Sequence, residues 1–173
     1  MTPPTPRSSL TRNTILTPKT GLAVVLVEPR IPQNTGNIAR LCVCAGAELF
    51  LVGDLGFRLG SSKHVDRAGM DYLEEIELQH VPDFQDVLAQ KPGWSVCYLS
   101  TKAKQSYTEV SYTPNTLLVF GSETQGLPAW LIEQSPEQSI RIPMVDSARS
   151  LNLANSVSIV LYEAIRQIQP YEN

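Results

Sequence analysis

The run LAVVLV at 22–27 constrains this chain more than any other stretch, because it is apolar at every position and rich in β-branched residues. A strand with one wet face alternates polar and apolar residues. A strand with no alternation belongs in a sheet covered on both faces. The stretch EPRIPQNT that follows carries two prolines and an Asn-Thr pair, and reads as a loop. GNIARLCVCAG then has Ile38, Leu41 and Ala45 on one helical face and Gly46 at its end, and ELFLV (48–52) returns as a strand. Together these make a β-α-β unit.

The alternation continues. A short helix is expected at 62–68, a strand at EIELQ (75–79), a helix at DFQDVLAQ (83–90) and a strand at SVCYLS (95–100). TLLVF (116–120) is the clearest late strand. After it come the loop GSETQGLP, a helix PAWLIEQ and a strand SIRIP (139–143). The last element, about 152–168, places Leu153, Val157, Val160, Leu161, Ala164 and Ile168 at helical spacing. Strands alternating with helices predict an α/β fold with a mostly parallel sheet and helices on both faces. A chain of 173 residues suits one such domain, here expected over 21–173. Residues 1–20, rich in Pro, Thr and Ser without an apolar period, read as a flexible N-terminal extension.

Several function classes drop out. No apolar run approaches the roughly 20 residues that span a bilayer, and the N-terminus lacks a signal-peptide pattern, so a cytoplasmic protein without membrane contact is expected. A net charge of -3 argues against a non-specific polyanion binder, though not against a site-specific RNA enzyme. Cys42 and Cys44 sit at i and i+2 of a helix and diverge by roughly 200°, so they cannot share a metal. With His64 and His80 as the only histidines, no metal site is expected, and the thiols read as reduced and mostly buried. The chain has no G-x-x-x-x-G-K-[ST], no G-x-G-x-x-G and no G-x-S-x-G, which removes the common phosphate loops and the hydrolase elbow.

Three loops remain, each directly after an expected strand, where open parallel sheets collect their ligands. In NTGNIAR, Asn34 and Arg40 straddle a helix start; Arg40, one turn inside, offers a bidentate clamp for a phosphate oxygen. Alternatively Asn34 or Thr35 is only a cap and Arg40 is solvated. In FGSETQGLP, Gly121 and Gly126 bracket Glu123, which can pair with Arg40 or receive a polar ligand group. The plain alternative is a strand-to-helix turn. In IPMVDSARSLNLANS, Ser150, Asn152, Asn155, Ser156 and Ser158 put more small polar side chains at a helix start than capping requires, which would let another segment or a ligand approach closely; the plain alternative is a solvated helix start.

In this order and spacing, N-x-G-N-x-x-R, F-G-x-E-x-x-G-L-P and I-P-M…S-L-N-L-x-N-S-V resemble the SPOUT superfamily of RNA methyltransferases over about 22–168. The short length and RAGMDY (67–72) resemble its tRNA (cytidine(34)/uridine(34)-2′-O)-methyltransferase group. That resemblance implies a C-terminal deep trefoil knot holding S-adenosylmethionine, with S-adenosylhomocysteine as product and no metal. It implies a homodimer with active sites at the interface, and tRNA as substrate, in leucine tRNAs for that group. By motif position, Leu99, Gly121, Ile142, Met144, Ser150 and Leu151 would line the cofactor. Arg40, Asn34, Glu123 and Asn152 would be the catalytic and RNA-contacting residues. Lys63, Arg67, Lys102, Lys104 and Arg149 are candidates for the tRNA backbone. Gln125 stands where relatives often carry a basic residue. The same chemistry on another tRNA or rRNA position, or a non-catalytic RNA-binding module, are the competing expectations.

Overall fold

The computed structural model describes residues 19–59 and 78–169. Its strands are β1 Leu22–Val27, β2 Glu48–Val52, β3 Leu78–Val81, β4 Ser95–Leu99, β5 Gln105–Ser106, β6 Thr116–Phe120 and β7 Ser139–Arg141. The α-helices are α1 Pro32–Ala45, α2 Phe84–Gln90, α3 Ala129–Glu133 and α4 Leu153–Ile168. The strands form one sheet in the order β3-β2-β1-β6-β4-β7-β5. Every pairing in it is parallel.

β1 is buried at all of its positions, as its unbroken apolar run demands. Alternate side chains feed two separate cores. Val24 and Leu26, with Leu49, Leu51, Leu118 and Phe120, face α1 and α4, which contribute Ile38, Cys42, Ala45, Val157, Val160, Leu161 and Ala164. Ala23, Val25 and Val27, with Phe50, Leu117 and Val119, face Phe84 and Val87 of α2 and Leu131 of α3. The sheet is therefore dry on both sides and its ligand-binding surface can only be an edge or an end.

Several boundaries differ from the sequence expectation. α1 begins at Pro32, four residues before the expected start. Pro32 at the first turn lacks only an N–H that would be unpaired there anyway, and its fixed φ suits the helix. The helix ends as expected at Gly46, whose φ of 62° is the left-handed cap conformation. The strand expected at 75–79 is described from Leu78 and runs on to Val81; residues 75–77 and the helix expected at 62–68 lie outside the described residues. β7 stops at Arg141, so Ile142 and Pro143 belong to the following loop. α2 is as expected, with Asp83 and Asp86 forming a reciprocal capping box. Of the cysteines, Cys42 and Cys97 are buried, whereas Cys44 is exposed rather than buried. Desolvation pushes the Cys97 thiol up to about 11 and raises that of Cys42 further.

Candidate active site

The chain runs outward from β1 to β2 and β3, then crosses back, and β6 inserts between β1 and β4. Parallel pairing of Leu26 with Phe120 puts the carboxyl ends of β1 and β6 side by side at this switch point. The loops leaving β1 and β6 must then meet, and Glu123 is where they do. Its Oε2 accepts a hydrogen bond from the backbone N–H of Arg30 at 2.8 Å. Its Oε1 accepts from the backbone N–H of Ile31 at 3.2 Å and from Nδ2 of Asn34 at 3.0 Å. Asn34, only 6% exposed, in turn accepts from Nδ2 of Asn152 at 3.0 Å through its Oδ1. Asn152 also caps α4, receiving the N–H of Asn155 at 3.3 Å. One line of side-chain hydrogen bonds thus ties all three sequence loops together.

This closes two alternatives that the sequence left open. Asn34 and Thr35 do not cap α1, because the helix is already under way and its N-cap is Ile31, with no side-chain cap bond. The hydrogen bonds of Glu123 go to Asn34 and two backbone N–H groups rather than to Arg40. With the earlier helix start, Arg40 stands about two turns inside α1 rather than one, roughly 9 Å along the axis from Asn34. It is exposed.

The glycines of the second loop divide their work. A Cβ on Gly121 would lie 1.9 Å from the carbonyl carbon of Gly126 and 2.1 Å from the nitrogen of Leu127. The loop crosses itself there, closed by the N–H of Gly126 donating to the carbonyl of Ser122 at 3.0 Å. Gly121 is therefore required by the loop's own backbone and not by a positive φ. Gly126, with φ 70°, supplies the left-handed turn.

Beside this junction a cavity of about 860 Å³ opens across the ends of β6, β4 and β7. Leu99, Gly121, Ile142, Met144, Ser150 and Leu151, the residues expected to line a cofactor, all line it, as do Asn34, Glu123 and Asn152. Arg40 is not among the lining residues. Sequence reasoning missed Ser100, Leu127, Ile132, Glu133 and Arg141, which also face the cavity. Ser100 carried a usable signal, its position at the end of a strand. The backbone N–H groups of Arg30 and Ile31 carried none, since any residue but proline supplies one. Among the described residues no group of His, Cys, Asp and Glu is arranged to hold a metal ion, and no helix is long and apolar enough to cross a membrane.

Comparison with known proteins agrees with this geometry. Residues 21–162 match the SpoU rRNA Methylase family. The chain is 45% identical over 153 residues to the tRNA (cytidine(34)-2′-O)-methyltransferase of Yersinia pestis, covering 85% of this chain and 94% of that protein. Its fold superposes with a TM-score of 0.79 on a structure, 39% identical, described as giving structural insights into the 2′-OH methylation of C/U34 on tRNA; the match covers 84% of this chain and 95% of the other. A SpoU methyltransferase from Streptomyces viridochromogenes, solved in complex with AdoMet, is 28% identical with a TM-score of 0.75, covering 94% of this chain and 62% of that one. A parallel α/β sheet with its cavity at the β1/β6 switch point, and a family match across most of the sequence, make this chain a member of the SpoU methylase family.

Proposed function

We propose that this protein is an S-adenosylmethionine-dependent tRNA methyltransferase acting on the ribose 2′-OH of wobble position 34, a cytidine or modified uridine. The observation that carries the reading is the Glu123–Asn34–Asn152 junction at the mouth of a cavity whose lining matches the three colinear motifs. The family assignment and the 45% identical tRNA enzyme support it. Restriction to leucine tRNAs is a finer part of the same proposal.

The cavity fits the cofactor. Its volume lies in the range that encloses ligands of roughly drug size. Leu99, Leu127, Ile132, Ile142 and Leu151 offer apolar walls, and Ser100, Ser122 and Ser150 stand among them with the backbone of two loops. Such a lining suits a molecule that is part aromatic base and part polar ribose and amino acid. When bound there, S-adenosylmethionine supplies an electrophilic methyl group for in-line displacement.

The protein's own contribution is alignment and electrostatics. Placing two reactants in a near-attack geometry is worth about 7–11 kcal/mol in favourable cases. Glu123 already receives three donors, so it serves as the joint that fixes the loops rather than as a free base. Asn152 and Asn34 carry that positioning to the start of α4. Arg40 is assigned to the substrate side: a guanidinium stays protonated, so it stabilises a developing alkoxide or grips the adjacent phosphate.

Three structural readings accompany the proposal. We infer that the loop 121–127 and the segment 142–152 form a deep trefoil knot through which α4 passes. We infer a homodimer, supported by Ile31, Leu151 and Tyr162 near 40% exposure and Val145 at 72%. Such an interface would bring the exposed Arg40 to a site completed by the second subunit. The catalytic unit is assigned to 21–173 in the cytoplasm, with 1–20 as an extension.

The test is methylation of defined tRNAs in vitro with labelled cofactor, followed by mapping of 2′-O-methyl groups. Label at residue 34 is expected; label only in rRNA or at another tRNA position would redirect the reading. Arg40→Ala should abolish transfer while leaving cofactor affinity within about twofold. Equal loss of both would make Arg40 structural.

A further inference from the structure

The charges of the described residues are partitioned unevenly. Arg30 pairs with Glu28 and Asp54, Lys91 with Glu48, and Arg166 with Glu163. Lys19, Arg40 and Arg58 also engage other groups. Among the described residues, the side chains of Lys102, Lys104, Arg141 and Arg149 have no hydrogen-bond or ion-pair partner, and all four are exposed. Three of them, Lys102, Arg141 and Arg149, line the active-site cavity.

Their placement within the cavity is lateral. Asn34 and Glu123 stand at the ends of β1 and β6. Lys102 follows β4, Arg141 ends β7, and Arg149 lies in the loop leaving β7. β4 and β7 are neighbours, joined at Leu99–Ile140 and by the N–H of Ser100 donating to the carbonyl of Ile140 at 2.9 Å. At about 4.8 Å per strand, β7 lies roughly 10 Å from β6 across the sheet. The cavity therefore has an amide-and-carboxylate end and a cationic end. The carboxylates that line it are Glu123, saturated by three donors, and Glu133 on α3.

We propose that Lys102, Arg141 and Arg149 form a phosphate rail, and that the RNA strand runs from the β1/β6 end, where its ribose is addressed, across the β4/β7 end, where successive backbone phosphates meet these cations. This deepens the methyltransferase reading and rests on it. It explains how a chain of net charge -3 holds a polyanion: carboxylates pair with Arg30, Lys91 and Arg166, whereas the three cations at the cavity have no carboxylate partner among the described residues. The rail carries no base information, so it positions the strand and leaves recognition to other contacts.

The rival source of negative charge is the carboxylate of the cofactor itself, and salt separates the two. Full-length protein and a defined tRNA are titrated between 50 and 200 mM salt, and the slope of log K against log salt is taken for the wild type and for Lys102→Ala, Arg141→Ala and Arg149→Ala. Each variant should flatten the slope by about 0.7–0.9, which makes the affinity loss across that range about threefold smaller per substitution. Arg166→Ala, which removes an exposed cation already paired with Glu163, should leave the slope unchanged. S-adenosylmethionine affinity, measured calorimetrically, should match the wild type in all of them. Wild-type slopes in the three rail variants overturn the proposal, and so does a loss confined to cofactor affinity. A wild-type protein that binds cofactor but no tRNA overturns the parent reading and this one with it.

Discussion

Replacing Asn34 by Asp exchanges a donor for an acceptor at nearly constant shape. In the native protein Nδ2 of Asn34 donates to Glu123 at 3.0 Å while Oδ1 accepts from Asn152 at 3.0 Å. The variant keeps the second bond and turns the first into an opposition of two carboxylate oxygens, at a position 6% exposed. With charge centres about 5 Å apart and an effective dielectric of about 20, the repulsion is about 3 kcal/mol. A proton shared by the pair relieves it, so the folded variant holds that proton more tightly than the unfolded chain does. Its stability is then greatest in acid and falls as pH rises from about 4 through the titration of the pair. At about 2–4 °C per kcal/mol for a chain of this size, Asn34→Asp should melt roughly 6–12 °C below wild type at pH 8. The difference should shrink steadily towards pH 5. Thermal unfolding of both proteins at several pH values between 5 and 8 measures it, and an equal gap at pH 5 and pH 8 would refute the argument.

Gly121→Ala places a methyl group inside the backbone of Gly126 and Leu127, so the loop must open and the Ser122–Gly126 bridge must break. A stability loss of about 2–4 kcal/mol is expected from the overlap and the lost bond, with cofactor binding lost alongside; calorimetry reads both. Asn152→Ala removes the cap of α4 and the bond to Asn34, and should cost about 1–2 kcal/mol in chemical denaturation. A thiol reagent at pH 8 should label exposed Cys44 within minutes and spare Cys42 and Cys97 until the protein unfolds, because burial raises both thiols. Prompt labelling at Cys42 would contradict the packing of α1 against the sheet.

The sheet was legible because its information is written in residue type. LAVVLV and TLLVF proved to be central, adjacent strands, and both were readable from apolar runs alone. The last helix, expected over about 152–168 and found over 153–168, followed equally from periodicity, whereas Asn152 as its cap was not singled out from the several polar residues at its start. The start of α1 was misplaced because Pro32 and Asn34 are loop-forming residues in most contexts, and only the register of the whole helix shows that Pro32 opens it. The two-residue β5, Gln105–Ser106, has no apolar signature and exists only because β7 offers it an edge. At the site, the motifs picked out Asn34, Glu123 and Asn152, but not how they are joined. That linkage depends on β6 lying beside β1, a pairing no local pattern encodes. The reach of Glu123 to two main-chain donors depends on the same placement.

The insertion of β6 between β1 and β4 also governs how the protein can come to be folded. β1 gains a partner on one side as soon as β2 emerges, but its other edge is completed only when Leu26 meets Phe120. At about 5–20 residues per second, that interval lasts about 3–14 s of synthesis. Through it, an apolar strand with an open row of N–H and carbonyl groups waits for its mate. Ribosome-bound intermediates ending before Thr116 should therefore be the species most prone to aggregate and most dependent on a holding chaperone.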